Sequence, residues 1–308
     1  MSATLFVVQV LNGLQLGILL FLVAAGLTLV FGVMDFINLA HGVQYMLGAY
    51  LAVMLYTLTG SALASIALTL PASLVAGLVL EVLVFRHLYG RHHLEQVLAT
   101  FGVILFLNQA VKIVWGPAPL NMPPPDFLAG SIPLMEGLRY PVYRFAIMAA
   151  GLAVAVALYL GITSTRAGML VRAGATNAPM VCALGVDIRR LFTIVFGCGA
   201  MLAGFAGAMV APILSVEPGM GDQILILAFV VIVIGGIGSI LGAFISALLV
   251  GIIDTLGRSF ATDVLRLFLS PSAARIIGPA LASMTIYLLM AAVLAVRPAG
   301  LFPARRRA

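Results

Sequence analysis

Four polar side chains are the first residues in this sequence whose types could do chemistry in an apolar setting. Asn38, His41, Gln44 and Tyr45 lie in a stretch without charged residues, 36–80. Asn38, His41 and Tyr45 are spaced i, i+3 and i+7, which predicts that they share one face of a helix. Polar groups in lipid are costly unless they face a bundle interior or a wet cavity. The pattern therefore predicts that these residues lie near a translocation path with Gly42; alternatively, they only hydrogen-bond neighbouring helices and fix their packing.

A second motif is predicted to act through its backbone, by breaking a long helix. The 34 residues from Gln223 to Leu256 would make about 50 Å of continuous helix, which is too long for one ordinary span. A cluster of small residues near the middle predicts a break that leaves two shorter segments facing each other, a pattern that transporters use. The cluster, predicted to belong to the translocation path, is Gly235, Gly236, Gly238 and Ser239.

The longest polar insertion, 164–190, combines both kinds of side chain. Its polar residues are Arg172, Thr176 and Asn177, and its apolar ones are Met180, Val181 and Leu184. This pattern predicts a short helix that ends near Leu184, before Gly185, with one apolar and one polar side. Such a segment is either a plain connection or a docking helix for a soluble partner.

Other chemistry is not indicated. His92, His93 and Glu95 fall in a connecting segment and lack the HExxH spacing of a metalloprotease. The sequence contains no GxxxxGK[ST] phosphate loop, so any ATP hydrolysis is expected to belong to a partner. No enzyme activity and no metal, nucleotide or covalent cofactor is expected. Cys182 and Cys198 are interpreted as two free thiols. The pI of about 9.7 comes without a basic stripe of interleaved aromatics, so no nucleic-acid partner is expected.

Composition identifies the elements that must position these residues. Of the 308 residues, 63% are hydrophobic and 8% are charged, whereas soluble domains have about 25% charged residues. Several uncharged runs reach the ~20 residues that cross a bilayer as a helix. The fold class is therefore an all-α, polytopic membrane protein with about eight or nine membrane segments, including glycine-broken helices.

The predicted order is a single membrane domain over residues 1–308. The predicted spans are 7–33, 36–56, one ending near 85, one ending near 112, 142–163, 191–213, two parts of 223–256, and 276–296. Residues 115–140, which are rich in proline, are predicted to form an external loop without long helices.

Basic residues predict the orientation. With the glycine break counted as a reversal, ten lie on the side of 86–95, 164–190 and the C-terminus, including Arg305, Arg306 and Arg307, and six lie on the other side. The richer side is predicted to be cytoplasmic. Segment 164–190 is then a cytoplasmic loop, and the N-terminus is external.

Three blocks carry a family resemblance. They are Ile37-Asn38-Leu39-Ala40-His41-Gly42 with Tyr45-Met46-Leu47-Gly48-Ala49-Tyr50, then Arg172-Ala173-Gly174-Ala175-Thr176-Asn177 with Leu184-Gly185-Val186, and Gly235-Gly236-Ile237-Gly238-Ser239 with Gly242-Ala243. Together they strongly resemble the LivH-like permeases of bacterial branched-chain amino acid ABC importers, in register over nearly the whole chain. The second block departs from the general EAA-type consensus, because no Glu precedes Ala173.

The resemblance implies a passive half-channel in the bacterial inner membrane. It implies as partners a second homologous permease, two cytoplasmic ATP-binding subunits and an external solute-binding protein. The solutes it implies are branched-chain or related hydrophobic amino acids. The ATPase-coupling residues that it implies are Arg172, Ala173, Ala175, Asn177, Met180, Leu184, Gly185 and Val186.

The main alternative is an ion-coupled secondary transporter of small organic solutes. Such a protein usually needs a titratable group deep within a span. The acidic residues that border the long apolar runs as candidates are Asp35 and Asp254, both near predicted span ends.

Overall fold

The computed structural model describes residues 3–135 and 138–303. Arg305, Arg306 and Arg307, which contribute to the predicted orientation, lie outside the described residues. The helices are α1 Ala3–Met34, α2 His41–Thr59, α3 Ala62–Leu83, α4 His93–Trp115, α5 Val142–Ser164, α6 Arg166–Ala183, α7 Ile188–Val210, α8 Met220–Gly235, α9 Ile240–Leu265 and α10 Pro271–Val296. The strands are β1 Ser131–Met135 and β2 Leu138–Pro141. The fold is nearly all-α, and this hairpin is its departure from the prediction.

Seven of the described helices are long and apolar enough to cross a membrane, namely α1, α3, α4, α5, α7, α9 and α10. α8 has only 16 residues, and α2 carries polar residues at its start, so neither belongs to the seven. The predicted count of eight or nine segments is therefore not confirmed. The chain is a multi-pass membrane protein.

The predicted second span, 36–56, begins too early. Helix α2 starts only at His41, and residues 35–38 have no regular structure. Asp35 adopts a left-handed conformation with φ +49°, and the backbone N–H of Ile37 donates to Oε1 of Gln96 at 3.2 Å. The prediction that Asn38 shares a helical face with His41 and Tyr45 is therefore wrong, because contacts with α4 replace helical hydrogen bonds there.

The core lies around α1 and α7. Most of these two helices is buried within the chain, whereas little of α4, α5 and α10 is buried. The inner helices approach closely through glycine: a Cβ at Gly48 of α2 would overlap the backbone of Gly204 in α7, and one at Gly26 of α1 would overlap the carbonyl of Gly199. Small residues allow helix backbones to pack this closely in a membrane, where the hydrophobic effect does not drive helices together.

The chain reverses at the glycine break, as predicted. Ser246 of α9 donates its hydroxyl hydrogen bond to the carbonyl of Val231 in α8 at 2.7 Å, so the two helices form a hairpin. α9 then runs antiparallel to α1, because Gly13 and Gly17 approach Ile252 and Leu248 in reverse order. α9 thus has 26 residues and is a full-length span rather than a short segment.

The two ends of the molecule can now be defined. One end carries the β-hairpin formed by β1 and β2, and there Leu120 also pairs with Val216 in a β-bridge. We call this end the hairpin end. The described residues of 116–141 contain a short 3-10 turn, Asp126–Leu128, and the strands β1 and β2, with no long helix among them. The opposite end, which we call the α6 end, carries α6, the connection 84–92 and the glycine turn 236–239. There the Tyr89 ring contacts Phe192 of α7, and Gly238 approaches Gly32 of α1.

Candidate functional site

His41 anchors the start of α2 inside the molecule. Its ring is fully buried, and Nε2 lies 3.0 Å from the carbonyl oxygen of Val23 in α1. The ring also lies against Gly26, where a Cβ would come 3.0 Å from Cε1 and Nε2 of the imidazole. Gly42 allows the next contact, because a Cβ there would overlap the carbonyl of Gly221 in α8.

The other predicted polar residues are buried as well. Asn38 is 0% exposed, and Gln44 and Tyr45 are 4% exposed. Both side-chain polar atoms of Asn38, both of Gln44, and Nδ1 of His41 have no hydrogen-bond partner. In this conformation these side chains lie within the subunit rather than on its surface. Buried polar atoms without partners are rare in native structures.

The glycine break is a tight turn that a distant segment covers. Gly236 and Gly238 have φ +98° and +81°, conformations that side chains disfavour. Ser239 caps α9 by accepting the N–H of Gly242 at 3.1 Å. The N–H groups of Leu301 and Phe302 donate to the carbonyls of Ile234 and Gly235 at 2.8 and 3.0 Å. These last two bonds satisfy the C-terminal carbonyls of α8.

The predicted helix in 164–190 is confirmed as α6, and it is kinked. It bends at Asn177, with φ −157° and ψ 86°. The Asn177 side chain accepts the N–H of Met180 at 2.9 Å and so starts a second helical piece, which ends before Gly185 at φ +87°. Met180 is 60% exposed and Leu184 is 75% exposed, so this piece presents two large apolar side chains to its surroundings.

The remaining residues of this segment are either exposed or packed against neighbouring helices. Arg172 and Ala175 are exposed, and Ala173 and Val186 are half-buried. Gly174 is buried, and a Cβ there would lie 3.1 Å from the Leu191 side chain and 3.9 Å from Val33. α6 thus packs on α1, α5 and α7, and in its second piece Val181 is buried while Met180 and Leu184 are exposed.

Helix α1 brings the three motifs together. Val23 and Gly26 contact the start of α2, Gly32 approaches Gly238 of the glycine turn, and Val33 faces Gly174 of α6. The sequence indicated no role for α1 beyond a first span. Its only signal was the spacing of glycines in an uncharged helix.

A buried polar and aromatic cluster at the α6 end was also missed. Glu81 is 1% exposed; Nη2 of Arg86 lies 3.0 Å from it, and the Tyr89 hydroxyl donates to it at 3.1 Å. The Tyr89 ring stacks edge-on against Phe36 and Phe192, with centroids 5.4 and 5.7 Å away. Burial, with the Glu81 charge, raises the pKa of Tyr89. The available signal was a charged residue directly after the uncharged stretch 36–80.

The two acidic candidates for ion coupling, Asp35 and Asp254, lie in different environments. Asp35 is exposed in the α1–α2 connection. Asp254 is 4% exposed, and Nε of Arg258 lies 2.9 Å from both of its oxygens. Each of the buried carboxylates Glu81 and Asp254 therefore has an arginine partner.

Comparisons with known proteins agree with one another. A profile of the family described as "Branched-chain amino acid transport system / permease component" matches residues 9–296. The chain is 31% identical over 268 residues to the high-affinity branched-chain amino acid transport system permease protein BraD of Pseudomonas aeruginosa, covering 83% of this chain and 87% of BraD. It is 28% identical over 275 residues to LivH of Escherichia coli K12, with the same coverage. It is also 27% identical over 252 residues to a probable LivH of Methanocaldococcus jannaschii, covering 77% and 76%. No solved structure matches the chain.

Proposed function

Since this chain belongs to the family of branched-chain amino acid transport permease components, we propose that it forms one half of the translocation path of an ATP-driven importer. The observation that carries this proposal is the family match over residues 9–296, which includes nearly all the described helices. Residues 1–308 act as one membrane domain, an arrangement supported by a continuous core that links α1, α2, α7, α8 and α9. The relatives BraD and LivH are named as branched-chain amino acid permeases, so the proposed solutes are leucine, isoleucine, valine and related hydrophobic amino acids.

The partners follow from the same proposal. Two ATP-binding subunits supply the energy, a second homologous permease completes the path, and an external binding protein delivers the solute. The second piece of α6 supports an ATPase contact, because Met180 and Leu184 are exposed outside the membrane spans. Exposed apolar side chains on a short extramembrane helix are typical of a protein–protein contact. The proposed coupling residues remain Arg172, Ala173, Ala175, Asn177, Met180, Leu184, Gly185 and Val186.

The α6 end is proposed to face the cytoplasm of a bacterial inner membrane. In the described residues this end carries Arg86, Arg91, Arg166, Arg172, Arg189, Arg190 and Arg297. The hairpin end carries Lys112, Arg139, Arg144, Arg258, Arg266 and Arg275. Arg305, Arg306 and Arg307, outside the described residues, add to the first set in the sequence and give the basic excess expected of a cytoplasmic side.

The path itself is proposed to depend on the start of α2 and on the glycine turn. The residues are Asn38, His41, Gly42, Gln44, Tyr45, Gly235, Gly236, Gly238 and Ser239. The unpartnered polar atoms of Asn38, His41 and Gln44 support this proposal, because polar groups in a bilayer favour a wet or rearranging site. Both motifs contact α1 within a few turns of each other, so a shift of α1 would move both.

Reconstituted transport tests the proposal. The chain, co-purified with its associated subunits, is placed in proteoliposomes with the external binding protein and radiolabelled leucine. Uptake is expected only with ATP on the α6 side and with the binding protein present. An ion-coupled secondary transporter would instead respond to a proton or sodium gradient without ATP. Uptake driven by such a gradient alone would overturn the proposal.

A further inference from the structure

A small cavity lies where α2, α3 and α7 meet. It is lined by Gln44 and Leu47 of α2, Ser73, Ala76, Gly77 and Leu80 of α3, and Ala200 of α7. It offers about 10 Å³ to the centre of a water molecule, which is close to the minimum that one water requires.

Two buried polar side chains line this cavity without a partner. Oε1 and Nε2 of Gln44 and Oγ of Ser73 make no hydrogen bond, and the two residues are 4% and 5% exposed. Both residues therefore line one small space between α2, α3 and α7. One water can donate to the amide oxygen, accept from the amide nitrogen, and pair with the hydroxyl, and buried waters typically make about three such bonds.

Close backbone packing keeps protein groups out of the space. A Cβ at Gly204 would overlap the Ser73 side chain, and a Cβ at Gly77 would overlap Cβ of Ala200. α3 and α7 are thus already at contact distance. No rigid-body approach of these helices can bring a new partner to Ser73.

We propose that Gln44 and Ser73 bind a buried water molecule that joins α2 to α3. The proposed site does not depend on which solute the protein carries. Buried polar groups require such satisfaction most strongly in a membrane interior, where bulk water cannot provide it. The competing arrangement is a hydrogen bond between the Gln44 amide and the neighbouring His41 imidazole, which lies within reach of it.

An experimental structure of the complete complex in lipid nanodiscs, at a resolution that shows water, tests the site directly. We expect one isolated density peak about 3 Å from Ser73 Oγ and from the Gln44 amide. A cavity without density, or a Gln44 amide placed on His41, would overturn the proposal.

A double-mutant cycle tests it independently. Ser73→Ala and Gln44→Met should each lower the apparent melting temperature, because each leaves the water and the other side chain short of a partner. The double variant, which makes the cavity apolar, should lose clearly less than the sum of the two single losses. Additive losses would contradict a shared water.

Thr69→Val provides the matched control. Thr69 is buried on the same helix, one turn from Ser73, but its hydroxyl donates to the carbonyl of Ser65 at 2.8 Å and does not line the cavity. Combined with Gln44→Met, it should give additive losses. If the Thr69 pair shows the same coupling as the Ser73 pair, the coupling is not due to the cavity and the proposal fails.

Discussion

At the scale of single residues, the start of α2 has buried polar groups whose hydrogen bonds are only partly made. His41 uses Nε2 to hold the carbonyl of Val23, while Nδ1 and the whole Asn38 amide remain unpartnered. A side chain that bound the solute tightly would slow its release from the permease. We therefore expect substitutions of His41 and Asn38 to change the transport rate rather than the choice of solute.

We expect His41→Ala and Asn38→Ala to lower the transport rate without changing which solutes are accepted. His41→Ala removes the bond to α1 and leaves a cavity, which costs about 2–4 kcal/mol of stability, so uptake is compared at equal amounts of assembled complex. Competition by unlabelled amino acids, with one binding protein throughout, reports the solute profile.

Ser65→Ala is the matched control for these variants. The Ser65 hydroxyl also ties a neighbouring helix to α2, at the carbonyl of Ala52 in the second half of α2 and outside the proposed path residues. It should lower stability and leave the rate per complex nearly unchanged. A swapped solute profile in either path variant would show that this subunit selects the substrate.

At the scale of elements, the kink at Asn177 starts a second piece of α6 that buries Val181 and exposes Met180 and Leu184. Leu184→Asp should uncouple ATP hydrolysis from transport, because it places a charge at an apolar contact with a proposed partner. The chain should still insert, since Leu184 lies outside the spans. ATPase activity and uptake are measured together on the purified complex.

Ala167→Asp is the control for added charge on the same helix. Ala167 is exposed in the first turn of α6 and lies outside the proposed coupling residues. We expect this variant to transport normally. Intact transport and assembly in Leu184→Asp would remove the docking assignment.

The glycine turn predicts a stability effect of defined sign. Gly236→Ala should destabilise the protein by about 1–3 kcal/mol, because its φ of +98° disfavours side chains. A Cβ there would also come 2.9 Å from Cα of Pro303. Gly161→Ala in α5 is the control: its Cβ would meet no atom within 4 Å, so a helix-interior alanine should stabilise by up to about 1 kcal/mol. Thermal unfolding in nanodiscs measures both, and equal shifts would contradict the strain.

At the scale of the whole molecule, the two ends should lie on opposite sides of the bilayer. Single cysteines at Asn121 and Thr176, in a background without Cys182 and Cys198, should react with an impermeant thiol reagent from opposite faces. Asn121 belongs to the hairpin end, where it accepts the Ser215 hydroxyl at 3.0 Å. Labelling of both positions from the same face would be incompatible with this fold.

The sequence predicted the elements better than their junctions. Uncharged runs locate α1, α5, α7 and α10, because burial in lipid demands length and apolarity alone. The start of α2 was misplaced, because the side chain of Gln96, 59 residues away, takes the N–H of Ile37. The pairing of Glu81 with Arg86 and Tyr89, and the covering of the glycine turn by Leu301, likewise depend on contacts that no local pattern reports.

The segment that covers the glycine turn has a consequence for biogenesis. Leu301 and Phe302 leave the ribosome after α1 to α10, the helices of the described residues, yet their backbones complete the hydrogen bonding of the end of α8. During synthesis the α8–α9 hairpin must therefore enter the membrane with its turn uncovered. A nascent chain stalled before Leu301 would leave these two carbonyls at the α6 end to water, so the last residues to be made are the ones that close the end of α8.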